Sequence, residues 1–178
     1  MVHPMSSASS RFSDFSADPQ LAQIKLPPHS LEAEQSLIGG ILLDNQAWER
    51  VADLVNEADF YRDDHRRIYR HITKLIDQGR PADAVTVFES LEKNGEAEQA
   101  GGLAYIAELA NNTPSAANIR RYAEIVRERA ILRKLVAVGD EIAASALSPS
   151  GKDAKALLDE AEAKVFEIDE AGARHSYN

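Results

Sequence analysis

The stretch that decides the fold is residues 113–170, TPSAANIRRYAEIVRERAILRKLVAVGDEIAASALSPSGKDAKALLDEAEAKVFEIDE. Pro114 biases Thr113 away from helical backbone, and Ser115 is a good helix cap, so Thr113-Pro114-Ser115 reads as a hinge that starts a helix. That helix can run to Leu147, where Ser148-Pro149-Ser150-Gly151 stops it. Asp153 restarts a second arm that should end near Asp169. Two long helices joined by a short loop make an antiparallel hairpin. The expected seam on the first arm is Ile125, Leu132, Leu135, Gly139, Ile142 and Ala146. On the second it is Ala154, Leu157, Ala161, Val165 and Ile168, at the spacing of three and four that bundle seams use. Ile131, Val138 and Phe166 fall off that seam. Each lies about 100° or more around its helix, at 3.6 residues per turn. A two-helix hairpin cannot bury two faces alone, so a second hairpin or the rest of the chain must cover the other one.

Working back toward the N-terminus, the periodicity stays helical and no alternating strand pattern occurs. Ser30 can cap a first helix, with Glu32 and Glu34 near its positive end and Leu31, Ile38, Ile41 and Leu42 on one side. Gly39-Gly40 weakens that helix by roughly 1 kcal/mol per glycine. Either a close neighbour requires the glycines or the helix frays there. Asn45 starts a short second helix, with Trp48, Val51, Ala52 and Val55 as buried candidates. Asp63 or Asp64 caps a third, with Ile68, Ile72, Leu75 and Ile76 inward and Gly79 past its end. Asp83 caps a fourth, through Val87, Phe88 and Leu91, and Gly101-Gly102 precede a fifth with Leu103, Ile106 and Leu109. The expected fold is all-α: a polar, serine-rich and disordered tail over 1–25, a head of short helices over 26–112, the hairpin over 113–170, and a linker or added tail over 171–178.

The chain has 178 residues and no cysteine, so disulfides and thiolate metal sites are excluded. No apolar run approaches the roughly 18 residues of a membrane span, and no signal peptide is expected at the N-terminus. These features suit a cytoplasmic protein. The net charge of −9 argues against non-specific DNA binding by the whole chain. Charge is uneven, however. Residues 115–135 balance to +4 and residues 153–170 to −5. Such blocks can pair within or between chains, or simply be solvated helix faces.

Chemistry is scarce. Gly151-Lys152 superficially suggests a phosphate loop, but Ala146 stands where glycine is required and Asp153 where Ser or Thr should hold magnesium. His65 and His71 are six apart, which is wrong for paired helical metal ligands. Arg62, Arg66, Arg67 and Arg70 cluster on the third helix, offset by Asp63 and Asp64. They read as an exposed face more readily than as a phosphate contact. Tyr105 and Phe88 read as core, although a surface tyrosine is a favoured interface anchor. No nucleophile–base–acid arrangement is visible.

Four segments carry a family resemblance. They are Leu26-Pro27-Pro28-His29-Ser30-Leu31-Glu32-Ala33-Glu34-Gln35-Ser36-Leu37-Ile38-Gly39-Gly40-Ile41-Leu42-Leu43-Asp44, then Asp59-Phe60-Tyr61, Asn112 to Ile119, and Ile125-Val126-Arg127-Glu128-Arg129-Ala130. In this order the chain resembles the N-terminal domain of the DnaB family of bacterial replicative DNA helicases. The resemblance implies an all-helical head and hairpin, six copies of which form a collar as a trimer of dimers. It implies primase, through its helicase-binding domain, as partner, with a helicase loader as a further one. ATP and magnesium belong to a motor domain outside this chain, which would drive 5′–3′ unwinding. The piece itself is expected to bind no cofactor or metal, to catalyse nothing and to touch DNA little. Ile131, Val138, Phe166 and Tyr105 are the expected interface residues. The competing reading is a stand-alone helical adaptor or regulator of the replication machinery with no motor of its own.

Overall fold

The computed structural model describes residues 26–176, and the expectation for residues 1–25 lies outside them. Seven α-helices and one 3-10 turn follow one another: α1 (Leu31–Leu43), α2 (Ala47–Val51), the turn Glu57–Asp59, α3 (Asp63–Asp77), α4 (Ala84–Lys93), α5 (Gly102–Asn111), α6 (Ile119–Leu147) and α7 (Ala154–Ser176). No strand occurs among the described residues.

The head forms around α1. Ser30 caps it as expected, its hydroxyl accepting from the Ala33 N–H at 3.3 Å. Leu37, Ile38 and Ile41 are fully buried, together with Phe60, Ile68, Ile72, Leu75, Leu91 and Ile106 from the surrounding elements. The glycine pair is explained by a close neighbour. A methyl on Gly39 would collide with the Thr113 side chain and the Leu109 carbonyl, and one on Gly40 would lie 2.6 Å from Ile119 Cδ1. The end of α5 and the start of α6 are thus pressed onto α1 where it has no side chains.

Local polar ties set the connections. Asn45 does not open α2; its amide donates to the Ile41 and Ala82 carbonyls and accepts from the Ala82 N–H, all at 2.8 Å, joining the end of α1 to the loop before α4. Asp83 and Thr86 cap α4 reciprocally, at 2.8 and 2.9 Å. Neither Asp63 nor Asp64 is the cap of α3, which follows Arg62. The cap is supplied from another helix: Glu34 accepts from the Tyr61 N–H at 2.8 Å and the Arg62 N–H at 3.4 Å. A carboxylate three-dimensionally close but distant in sequence has taken the role that a local Asp was expected to fill.

The hairpin also departs from expectation in detail. Ser115 does not cap α6, which begins at Ile119; the Ser115 hydroxyl accepts from the Ala117 N–H at 3.3 Å in the turn before it. Thr113 is not a hinge but a wedge, buried at Gly39 with its hydroxyl donating to the Leu109 carbonyl at 3.0 Å. The loop closes through Ser150 (φ 53°) and Gly151 (φ 83°), both left-handed. The second arm continues past Asp169 to Ser176, so helix occupies most of the expected linker.

Candidate interaction surfaces

The four segments that carry the resemblance meet at the junction between head and hairpin. The His29 ring stacks on Tyr61 with centroids 4.3 Å apart. From α6, Arg129 donates to the His29 carbonyl at 2.8 Å, and Arg133 donates to the Pro28 carbonyl at 2.8 Å and the Asp59 carbonyl at 2.6 Å. The Arg133 guanidinium also lies 5.6 Å from the Tyr61 ring centroid. Burial pushes the Arg133 guanidinium below its ordinary pKa. Two arginines of the basic block therefore clamp the entry strap to the hairpin instead of facing solvent.

A buried relay runs from the same motif to the surface. Glu34 Oε1 lies 2.8 Å from His65 Nδ1, and His65 Nε2 lies 2.6 Å from the Tyr105 hydroxyl. Both ring nitrogens of His65 are thus engaged, and the Tyr105 hydroxyl also accepts from the Gln35 amide at 3.3 Å. His65 is fully buried, while Tyr105 is half-exposed, with Arg62 5.6 Å from its ring centroid. Burial raises the Tyr105 pKa. Its ring borders a shallow depression shared with Glu32, Gln35, Glu108 and Asn112.

A second histidine brings together groups that the sequence kept apart. His71 Nδ1 is 2.7 Å from Ser90 Oγ, and its Nε2 is 2.7 Å from Glu96 Oε2. The Glu96 carboxyl is held below its ordinary range by the His71 hydrogen bond, with Arg67 and Arg70 adding to the shift. This has the order of a nucleophile–base–acid relay, but Ser90 sits inside α4, where backbone N–H groups are committed to the helix and cannot serve as oxyanion donors. The arrangement ties α3, α4 and the loop before α5. Arg62, Arg66, Arg67 and Arg70 are likewise engaged within the chain: with Asp64, with the Phe60 and Tyr61 carbonyls, with Asp63 and Glu96, and with Glu57 and Glu96. The exposed-face reading of that cluster is too simple.

On the hairpin, α6 shows three faces. Ile119, Ala123, Val126 and Ala130 are buried against the head, and Ile125 packs there too, not on the second arm. About 110° further round, at 3.6 residues per turn, lie Ile131, Val138, Ile142 and Ser145, all half-buried. Ile142 and Ala146 share a hollow of about 400 Å³ with Ala154, Leu157 and Ala161 of α7, and Lys164 pairs with Glu141 beside it at 3.2 Å. Ile168 is half-buried as well. The third face is open: Leu132 is 38% exposed, Leu135 45% and Val136 50%. Leu158, Val165 and Phe166 are exposed on α7. The expected assignment is therefore corrected in part. Leu132, Leu135 and Val165 are not covered within the chain, and Ile131 and Val138 are not its open face. Ile125 shares its side of α6 with Leu132 and Val136, but the head covers that side only over the first turns of the helix, and the half-buried residues further along lie on a different side. Phe166 is 63% exposed. Leu135 and Val136 could have been found by asking which apolar positions remain once the head has taken one side.

The chain is similar to known proteins in sequence and fold. A family model for the DnaB-like helicase N terminal domain matches residues 26–128. The replicative DNA helicase DnaB of Haemophilus influenzae is 49% identical over 155 residues, 87% of this chain and 33% of that protein. That of Geobacillus stearothermophilus is 36% identical over 149 residues, 84% of this chain and 33% of that protein. The chain thus spans about a third of the length of these curated relatives. Among solved structures, the N-terminal domain of DnaB helicase from Mycobacterium tuberculosis superposes with a TM-score of 0.76 at 38% identity, covering 80% of this chain and 99% of that one. A DnaB-like replicative helicase, solved with a view to its interactions with primase, gives 0.60 at 23% identity, over 76% of this chain and 31% of that one, a likeness of fold. An all-helical head and hairpin, joined through the conspicuous motifs of the sequence and matched over residues 26–128, place this chain in the family of DnaB-like helicase N-terminal domains.

Proposed function

We propose that this chain is the collar module of a hexameric replicative helicase, and that its work is to assemble with copies of itself and to dock primase. The observation that carries the reading is the open apolar face of the hairpin, Leu132, Leu135 and Val136 on α6 with Leu158, Val165 and Phe166 on α7. Several large apolar side chains left exposed on two adjacent helices mark surface suited to being covered. A second copy of the chain brings an apolar face of the same kind to cover it. The Tyr105 surface is the proposed site for primase: an aromatic whose hydroxyl is fixed by His65 is a rigid anchor. ATP hydrolysis, with magnesium, belongs in this proposal to a motor domain of the parent protein, acting in the cytoplasm at the replication fork, where a loader would be a further partner.

Sedimentation of Leu135→Asp and Phe166→Asp tests the assembly arm. Both should keep their helical circular dichroism and melting temperature, and both should lose self-association, because a charge buried at an interface without a partner is costly. Association equal to that of the parent protein in both variants would refute the hairpin as the interface. A pull-down with the helicase-binding domain of primase tests the other arm: Tyr105→Ala should lose capture, and undiminished capture would move primase elsewhere.

A further inference from the structure

We propose that the Tyr105 surface and the clamp between head and hairpin are coupled through one buried carboxylate, Glu34, so that drawing the Tyr105 hydroxyl away from His65 loosens the hold on the hairpin. Two arrangements meet at this side chain. On one side, Glu34 Oε1 lies 2.8 Å from His65 Nδ1, and His65 Nε2 lies 2.6 Å from the Tyr105 hydroxyl. On the other, Glu34 Oε2 accepts from the Tyr61 N–H at 2.8 Å. The Tyr61 ring stacks on His29 of the entry strap, and Arg133 of α6 donates to the Pro28 and Asp59 carbonyls. Arg66 donates to the Phe60 and Tyr61 carbonyls at 2.9 and 2.8 Å, so residues 59–62 are tied to the first turns of α3. This short segment is therefore held from the Tyr105 side by Glu34 and from the hairpin side by Arg133 and His29.

A second partner for His65 turns this brace into a switch. Glu34 is 2% exposed and His65 is fully buried. A buried polar group that loses its partner is costly, so an imidazole that Tyr105 has left must find another. Asp64 Oδ1 stands 3.8 Å from His65 Nε2. Closing that gap turns the ring and draws Nδ1 away from Glu34. The carboxylate that holds the Tyr61 and Arg62 N–H groups then loses the contact that fixes its position. Coupling between two sites needs a part with two discrete positions that both sites bias, and the His65 ring is that part. Tyr105 is half-exposed and borders an open depression, so an occupant there can pull its ring outward. The use of this link by a docking partner rests on the role proposed above for Tyr105; the link itself does not.

The test needs no partner protein, so its failure and that of the docking role are distinguishable. In the full chain, Tyr105→Phe removes the hydroxyl and keeps the ring. Amide hydrogen exchange at Tyr61 and Arg62, whose N–H groups Glu34 accepts, should speed roughly five-fold, the equivalent of about one hydrogen bond. The His29 ring-proton signals, displaced by the stacked Tyr61 ring, should shift toward their positions in Arg133→Gln, where the clamp is cut directly. Ile106→Val loosens the buried side of the same helix without touching the network. Exchange at a helix start goes through local opening, so this control should leave it within about two-fold of the parent protein. Coupling is reciprocal, so in Tyr105→Phe combined with Arg133→Gln the unfolding constant should depart from the product of the two single effects by at least about two-fold. The proposal is overturned if exchange at Tyr61 and Arg62 is unchanged in Tyr105→Phe, if the His29 signals stay in place, if Ile106→Val speeds exchange as much, or if the two single effects multiply.

Discussion

The head and the far half of the hairpin are both helical, yet they are held in opposite ways. In the head, side chains such as Phe60, Leu37 and Ile38 are fully buried, and even the charged Glu34 and the two histidines are enclosed and paired. Between Ile131 and Asp169, no side chain is buried. The physical reason is geometric. A helix buries one stripe against each neighbour, and two helices alone leave the outer stripes in water. The head reaches closure within one chain, whereas the hairpin has an apolar face still to be covered. One region stores stability, and the other holds surface for an encounter.

This contrast can be broken most directly by truncation. Phe60→Ala should lower the unfolding free energy by about 3–5 kcal/mol, because a fully enclosed ring leaves a cavity. Leu135→Ala, at dilution where the chain is monomeric, should change it by no more than about 0.5 kcal/mol. Denaturant unfolding of both reads the difference, and equal losses would mean that the hairpin is closed within the chain after all. Next in size is Gly39→Ala. Alanine favours a helix by about 1 kcal/mol over glycine, but here the methyl meets Thr113 and the Leu109 carbonyl. Overpacking should win and lower stability by about 1–3 kcal/mol. A variant that melts higher than the parent protein would show that α1 and the end of α5 are not in contact.

The smallest effect is a pH dependence confined to the head. The His71 hydrogen bond depresses the folded pKa of Glu96 below its ordinary value of 4.5. A depressed carboxyl contributes stability that is fully present above the unfolded value and is lost as pH falls through the folded one. Glu96→Gln should therefore be less stable than the parent protein near neutral pH and converge with it in acid. A gap between the two melting curves that stays constant down through the carboxylate range would refute the assignment. The hairpin's exposed pairs, such as Lys152–Glu160 at 2.7 Å, should contribute little to the same profile, since solvent screens them.

The motifs were more legible than their purpose. Leu-Glu-Ala-Glu-Gln at 31–35 and Asp59-Phe60-Tyr61 stood out as sequence, but only contact explains them: Glu34 caps α3, Gln35 holds Tyr105, and Tyr61 receives the His29 ring. The relay of Ser90, His71 and Glu96 gave no signal, because its members lie on two helices and a loop and meet only when α3 and α4 pack. On α6, the apolar positions were legible but not their division between head, partner arm and open face. Rotation about a helix axis is set by all its neighbours together.

The sequence by itself determined that this protein is helical, where most of its helices lie, that a hairpin follows a head, and which family it resembles. Periodicity, capping residues and breakers act over a few residues, so they are written locally. Tertiary structure alone decided which glycine yields to which neighbour, which carboxylate caps which helix, and which apolar face stays open. Each of these depends on the distance between atoms far apart in the chain, and no local pattern encodes it.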